Sequence, residues 1–166
     1  MASVKERMQD NLIEENKSEK VNISLENGFY QGSGQYMYFN QDDIEGVIYR
    51  INCGLPFRYF EDLVQRLQIS RATLATYLRF SLNTLVRGRA NDMLTPAESE
   101  HLARLLRIYD LCFARLGSEK LAREWLTTAH PELRGLSPLE YARYEFGARL
   151  VEDIICKESK PETRKS

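Results

Sequence analysis

The chain has 166 residues, 43% of them hydrophobic, and its 23 basic side chains nearly balance 24 acidic ones. That is enough apolar material for one domain or two small ones, and a net charge near zero neither invites nor excludes a nucleic-acid partner. No run approaches the roughly 18 apolar residues that span a bilayer, and residues 1–15 are charged without a signal-like apolar stretch, so the expected location is the cytoplasm.

Residues 1–27 mix Lys, Glu, Asn and Ser with few apolar residues, a composition that cannot offset its own ordering entropy; a flexible N-terminal segment is expected over 1–40. Within it, two short aromatic runs flank Gly32-Ser33-Gly34, which suits either a small hairpin over 28–39 or an aromatic arm packed on a neighbour. From Gln41 the pattern turns helical. Ile44, Val47, Ile48 and Ile51 recur at spacings of three and four, and Gly54 and Pro56 end that run. A second helix runs from about Pro56 to Leu67 with Phe57, Phe60, Leu63, Val64 and Leu67 on one face. Ser70 caps a third, short helix carrying Leu74, Tyr77 and Leu78. The stretch from Asn83 to Met93 reads as irregular.

Thr95-Pro96-Ala97-Glu98 combines an N-cap Thr, a Pro at the first helical position and a Glu three residues on, the signature of a capping box. The long helix that starts there carries Leu102, Leu105, Leu106, Tyr109, Cys112, Phe113 and Leu116, and Gly117 ends it. Ser118 caps a helix with Leu121, Ala122, Trp125 and Leu126. After a break at residues 131–135, Ser137-Pro138-Leu139-Glu140 repeats the capping device before one last helix, with Leu139, Ala142, Phe146, Leu150, Val151, Ile154 and Ile155 inward. Gly147 inside that helix predicts a close approach beneath it. The fold expected is all-α: a helix-turn-helix unit over 41–93, a second helical unit over 94–156 with its own core, and a polar tail over 157–166. Cys53, Cys112 and Cys156, far apart and set among apolar neighbours, are expected to be buried free thiols.

A helix-turn-helix needs two short helices locked by shared apolar residues and a second helix with small polar or cationic residues on its free face. Residues 60–79 meet that description. Leu63, Leu67, Ile69, Leu74 and Leu78 form the shared core, which leaves Ala72, Thr76 and Arg79 outward, Thr73 at the flank and Arg71 in the first turn. Between Asp62 and Asp92 there is no acidic residue, whereas Arg66, Arg71, Arg79, Arg87 and Arg89 all fall there. The DNA-binding residues expected are Arg66, Ser70, Arg71, Thr73, Thr76 and Arg79. Gln68 stands where such turns usually have Gly, and a left-handed residue of that kind costs about 1 kcal/mol.

In the second unit, Leu116-Gly117, Ala122, Trp125-Leu126, Pro131, Leu133, Gly135, Pro138-Leu139, Gly147-Ala148 and Val151 follow in an order and spacing that resembles the toxin-binding domain of the Xre/MbcA/ParS antitoxins. With the preceding Xre-like helix-turn-helix, the resemblance runs from roughly Gln41 to Ile155. It implies a type II antitoxin, usually a dimer, that holds a co-encoded RES-domain toxin inactive in a hetero-oligomeric complex. It also implies repression of the antitoxin's own operon by operator binding. Toxins of that group consume NAD, and their antitoxins block access to the active site. Side chains left free for such a partner are Arg134, Arg143, Tyr144, Glu145, Arg149, Glu152 and Lys157, with Arg149, Lys157 and Lys160 suited to the mouth of an NAD site. Trp125 reads as an anchor between helices.

Catalytic readings find no support in the residues. His101 and His130 are the two histidines, neither at a metal-ligand spacing, and His101 is expected on the surface. No phosphate loop or nucleophile elbow is present, so no cofactor, metal or membrane partner is expected. A stand-alone helix-turn-helix regulator and a protein-binding adaptor remain as alternatives.

Overall fold

Side-chain caps decide where most of the helices begin. In the computed structural model, residues 30–32, 35–39 and 43–158 are described; the expected N-terminal segment 1–27 and the tail beyond Glu158, Lys160 included, lie outside them. A short antiparallel hairpin, β1 (Tyr30–Gly32) and β2 (Gln35–Met37), pairs Tyr30 with Met37 and Gly32 with Gln35. Apart from it the fold is all-α. Asp43 caps α1 (Ile44–Cys53), Ser70 caps α3 (Arg71–Leu78), and Thr95 and Glu98 close a capping box on α5 (Pro96–Leu116). Ser118 caps α6 (Glu119–Thr127), a 3-10 turn spans Pro131–Leu133, and a second capping box at Ser137 and Glu140 opens α7 (Pro138–Tyr141). The helix α2 (Arg58–Leu67) follows Phe57 without a side-chain cap.

Three expectations about elements need correction. Residues 82–91 are not irregular but form α4 (Leu82–Asn91), capped by the Ser81 side chain, which accepts from the Thr84 N–H. Its buried positions are Thr84 and Gly88 with Leu85 half-buried beside them, while Leu82 and Val86 are 75% and 61% exposed, so most of its apolar side chains face outward and the usual periodicity signal is weak. The single last helix is instead two. Tyr144 is extended between α7 and α8 (Glu145–Lys157), and the Arg143 carbonyl accepts from the Arg104 guanidinium rather than from a helical N–H. That break resets the helical phase: Gly147, Ala148, Val151, Ile154 and Ile155 face inward, whereas Phe146 is 85% exposed and Leu150 is at the surface. Third, of the three thiols Cys112 alone is buried; Cys53 and Cys156 are exposed.

Helix α5 is the spine. Leu102, Leu105, Leu106, Ile108, Tyr109 and Cys112 are all buried, because α1, α3 and β2 pack on this helix as well as α6 and α8. Ser99 on the same helix accepts the Leu55 N–H at 2.7 Å, and Leu94 donates to the Leu55 carbonyl at 2.9 Å, which staples the α1–α2 linker to the α4–α5 linker. Gly54 is required there, since at φ 94° an added Cβ would fall 2.3 Å from the Leu94 carbonyl oxygen.

Asp110 ties the segment after the hairpin to α5. Its carboxylate accepts the backbone N–H groups of Tyr38 at 2.8 Å and Phe39 at 3.2 Å. Burial pushes this carboxyl up to about 7, against the two N–H donors and Arg66, which favour the anion. A carboxyl raised above its ordinary value of about 3.9 holds its proton more tightly in the folded chain; its contribution is complete below about pH 4 and lost as pH rises towards 7. Asp110→Asn keeps an acceptor for both N–H groups and does not titrate. It is expected to gain on the order of 2 kcal/mol over the parent protein between pH 5 and 8, read from denaturant melts at each pH. A stability gap independent of pH would show that Asp110 is ionised throughout.

Candidate nucleic-acid and partner interfaces

The helix-turn-helix is α2, a turn through Gln68, Ile69 and Ser70, and α3. Gln68 takes the left-handed conformation (φ 52°, ψ 40°) that its position requires. Leu63, Leu67, Leu74 and Leu78 are buried between the two helices, with Ile69 packed beside them. Phe57, Phe60 and Phe80 stack at centroid distances of 5.2 and 5.8 Å behind α2, and Gly88 of α4 seats directly on the Phe57 ring. The exposed face of α3 presents Arg71, Ala72, Thr76 and Arg79, with Thr73 at its edge. Ser70 and Thr73 are joined by their hydroxyls at 2.8 Å, and the Thr76 hydroxyl donates to the Ala72 carbonyl.

The arginines expected to make this surface positive are mostly engaged. Arg66 does not lie on the α3 face: its guanidinium bonds Asp62 at 2.7 Å and also Glu119, and it lies over the Tyr38 and Tyr109 rings at 5.7 and 5.8 Å. It joins α2, α5, α6 and the post-hairpin segment. Arg71 pairs with Glu61 at 2.7 Å, Arg89 approaches the same carboxylate at 3.9 Å, and Arg87 bonds Glu98 at 2.5 Å. Burial works against the Glu98 charge, but the Thr95 N–H and Arg87 hold its carboxyl below the usual range. Arg79, left-handed at the end of α3, lies over the Tyr144 ring at 4.9 Å. His101 is likewise not a free surface residue, since its Nδ1 is 3.0 Å from the Leu78 carbonyl at the end of α3.

In the second helical unit, the side chains expected to meet a partner divide into two groups. Glu145 and Glu152 face α5, where Arg104 holds Glu145 at 2.9 Å and Arg107 holds Glu152 at 2.7 Å. Burial opposes the Glu145 charge, yet Arg104, Arg107 and Arg149 keep its carboxyl below the ordinary range. Tyr144, Arg149, Lys157 and Arg134 are exposed, Arg134 in a left-handed turn after the 3-10 segment. Arg143 is half-buried with its guanidinium 5.9 Å from the Tyr144 ring centre. The structure thus brings Arg143 and Tyr144 together at the start of α8, with Arg149 paired to Glu145 on its first turns and Lys157 about 18 Å along the helix at 1.5 Å per residue.

Residues 47–107 match the family model of the antitoxin Xre-like helix-turn-helix domain, and residues 113–156 match that of the antitoxin Xre/MbcA/ParS C-terminal toxin-binding domain. The chain belongs to the Xre/MbcA/ParS-type antitoxins. No curated protein matches the antitoxin significantly. The passage from one matched domain to the other falls within α5, so a single continuous helix carries both.

Two features of the antitoxin escaped its sequence. Phe146 and Leu150 lie on the surface of the toxin-binding domain rather than in its core. At 100° per residue the buried positions of α8 span an arc of about 120° centred on Val151, with Phe146 about 140° from that centre and Leu150 about 100°. The signal was an apolar stripe too wide for one contact. The second is the Arg79–Tyr144 contact, which joins the end of the α3 face directly to the toxin-binding domain. Trp125 is partly buried against the core and 5.9 Å from His130, as an anchor between helices should be. Among the described residues no helix is long and apolar enough to cross a membrane, and no group of three or more metal-ligating side chains occurs.

Proposed function

We propose that this antitoxin neutralises a co-encoded RES-domain toxin that consumes NAD, by covering the toxin's active site, and that it represses its own operon in the cytoplasm. It acts by binding and needs no cofactor. The observation that carries this reading is the attachment of a matched toxin-binding domain and a matched helix-turn-helix to one helix, α5. Arg71, Thr73, Thr76 and Arg79 would meet operator DNA, with Ser70 fixing the start of α3. Arg134, Arg143, Tyr144, Arg149 and Lys157 would meet the toxin, while Glu145 and Glu152 hold α8 in place. A homodimer suits the two-fold half-sites that such motifs read, and the exposed Leu82 and Val86, on the helix that comes after α3, offer it an apolar contact.

NAD consumption by the purified toxin, alone and in complex, tests the reading. The full-length antitoxin is expected to suppress turnover at equal stoichiometry, and tight binding with undiminished turnover would overturn occlusion. Truncation after Ile155 removes Lys157 and the rest of the polar C-terminus but keeps the buried positions of α8. That complex should hold together at reduced strength and regain NAD turnover, because rim charges contribute less to affinity than a central anchor does. Complete inhibition by the truncated protein would move the blocking contact back to the stretch between Trp125 and Arg143.

A further inference from the structure

We infer that Phe146, on the outer face of α8, is the anchor by which the toxin is held, with Leu150 beside it and Asp153 and Lys157 continuing the same strip. The inference rests on the proposal that the antitoxin binds a RES-domain toxin, and it assigns the contact to a surface that the free charged side chains alone do not mark. Positions 146, 150, 153 and 157 recur at spacings of four, three and four, so they align down one side of α8. Phe146 stands 85% exposed, the most exposed large apolar side chain among the described residues. A ring left in water has no packing role in the isolated chain.

The structure fixes the backbone that carries that ring. Immediately after it, Gly147 lies so close to the end of α7 that an added Cβ would meet the Tyr141 carbonyl oxygen at 2.0 Å. Immediately before it, Glu145 is clamped by Arg104 at 2.9 Å, and further along the helix Glu152 is clamped by Arg107 at 2.7 Å. Both flanks of the residue are therefore fixed to the body of the protein while its own side chain is directed outward. An exposed aromatic ring on a fixed backbone with a charged rim is the arrangement that binding hot spots take, since little backbone ordering entropy is lost on contact. Arg149 and Asp153 supply that rim.

The occupant is the toxin and not a second copy of this chain. The strip lies within residues 113–156, the matched toxin-binding domain. The exposed apolar pairs Ile44 with Ile48 and Leu82 with Val86 lie on the other side of the chain's domain boundary, on α1 and α4, where self-association would join two helix-turn-helix units.

Affinity of the purified toxin for full-length Phe146→Ala, Phe146→Asp and Leu121→Asp antitoxins, by calorimetry, tests the inference. Phe146→Ala should bind about 30-fold more weakly, as loss of a hot-spot aromatic does, and Phe146→Asp more weakly still. Thermal melts of both should match the parent, because the ring is outside the core. Leu121→Asp, on the exposed side of α6 in the same domain, should bind as the parent does. If the parent binds and both Phe146 variants bind equally well, the strip is not the anchor, although the proposed function stands. Loss of binding by Leu121→Asp alone would place the contact on α6 and overturn the inference. Conversion of a toxin-free dimer to monomer by Phe146→Asp, seen by sedimentation, would reassign the strip to a second copy. A parent protein that fails to bind the toxin overturns the proposed function and this inference together.

Discussion

Arg66→Ala is expected to destabilise the antitoxin by about 3 kcal/mol while leaving the salt dependence of DNA binding unchanged. The guanidinium bonds Asp62 and Glu119 and lies over two tyrosine rings, so its removal takes away one of the links from α2 to α6 and to the segment after the hairpin, while the Tyr38–Asp62 bond and the bond from Arg123 to the Arg66 carbonyl remain. Charge-assisted hydrogen bonds contribute roughly 1.5–3 kcal/mol and each cation–π contact about 0.5–1 kcal/mol; the exposure of Glu119 trims the sum. For a chain of this size that is a fall in melting temperature of roughly 10 °C. Arg79→Ala should behave in the opposite way. Its guanidinium is outside the core and its contact with the Tyr144 ring contributes only about 0.5–1 kcal/mol, so stability should fall little, whereas loss of the proposed phosphate contact would lower the slope of log affinity against log salt by about 0.9. Thermal melts and salt titrations on the two variants separate the roles. A lowered slope with Arg66→Ala at full stability would return that residue to the DNA surface.

The contrast between these two arginines marks where the sequence was legible. Caps announce themselves locally: Thr95 with Glu98, Ser137 with Glu140, Ser70, Ser118 and Gly117 each occupy the position their chemistry suggests, because a cap is satisfied within four residues of itself. The left-handed Gln68 was legible for the same reason, and Gly147 because a glycine inside an apolar helix marks a close approach whatever its partner. Charge is different. The stretch between Asp62 and Asp92 holds no acid, yet Asp62 at its edge pairs with Arg66 one turn along α2, and Glu61, Glu98 and Glu119 reach in from other elements, so that four of its five arginines are paired. A window along the chain cannot see partners that folding supplies.

The same limit explains α4 and Phe146. Periodicity finds a helix by its apolar face, on the premise that the apolar face is the buried one. In α4 the body of the protein takes Gly88, because the Phe57 ring fills the space a side chain would need, and the apolar pair Leu82 and Val86 is left outside. In α8 the break at Tyr144 shifts the phase by a turn that no Pro or Gly at that point announces; the bond from Arg104 to the Arg143 carbonyl, a contact 39 residues distant in sequence, stabilises it. Both misread segments end as exposed apolar surface, one beside the α3 face and one in the toxin-binding domain. Surface of that kind is where a protein that works by association departs from the pattern of a protein that only folds.

Gly147→Ala is expected to lower stability by about 2–3 kcal/mol and to weaken toxin binding with it, although the same change in most helices is favourable by about 1 kcal/mol. Helix propensity alone would predict a gain. Sterics reverse the sign here, because the new Cβ would fall 2.0 Å from the Tyr141 carbonyl oxygen and 2.9 Å from its carbon, and these are backbone atoms with no rotamer to yield. Either α7 must unwind or α8 must lift. Lifting α8 lengthens the Arg104–Glu145 and Arg107–Glu152 pairs that fix its polar side, and it moves Val151, Ile154 and Ile155 away from the core they close. The neighbouring substitution Phe146→Asp should weaken binding with no change in melting temperature, whereas Gly147→Ala should lower both. Melting curves and toxin affinity measured on the two variants side by side read out this difference. An unchanged or raised melting temperature for Gly147→Ala would mean that the end of α7 gives way at no cost, and that the outward direction of Phe146 does not depend on the close contact beneath it.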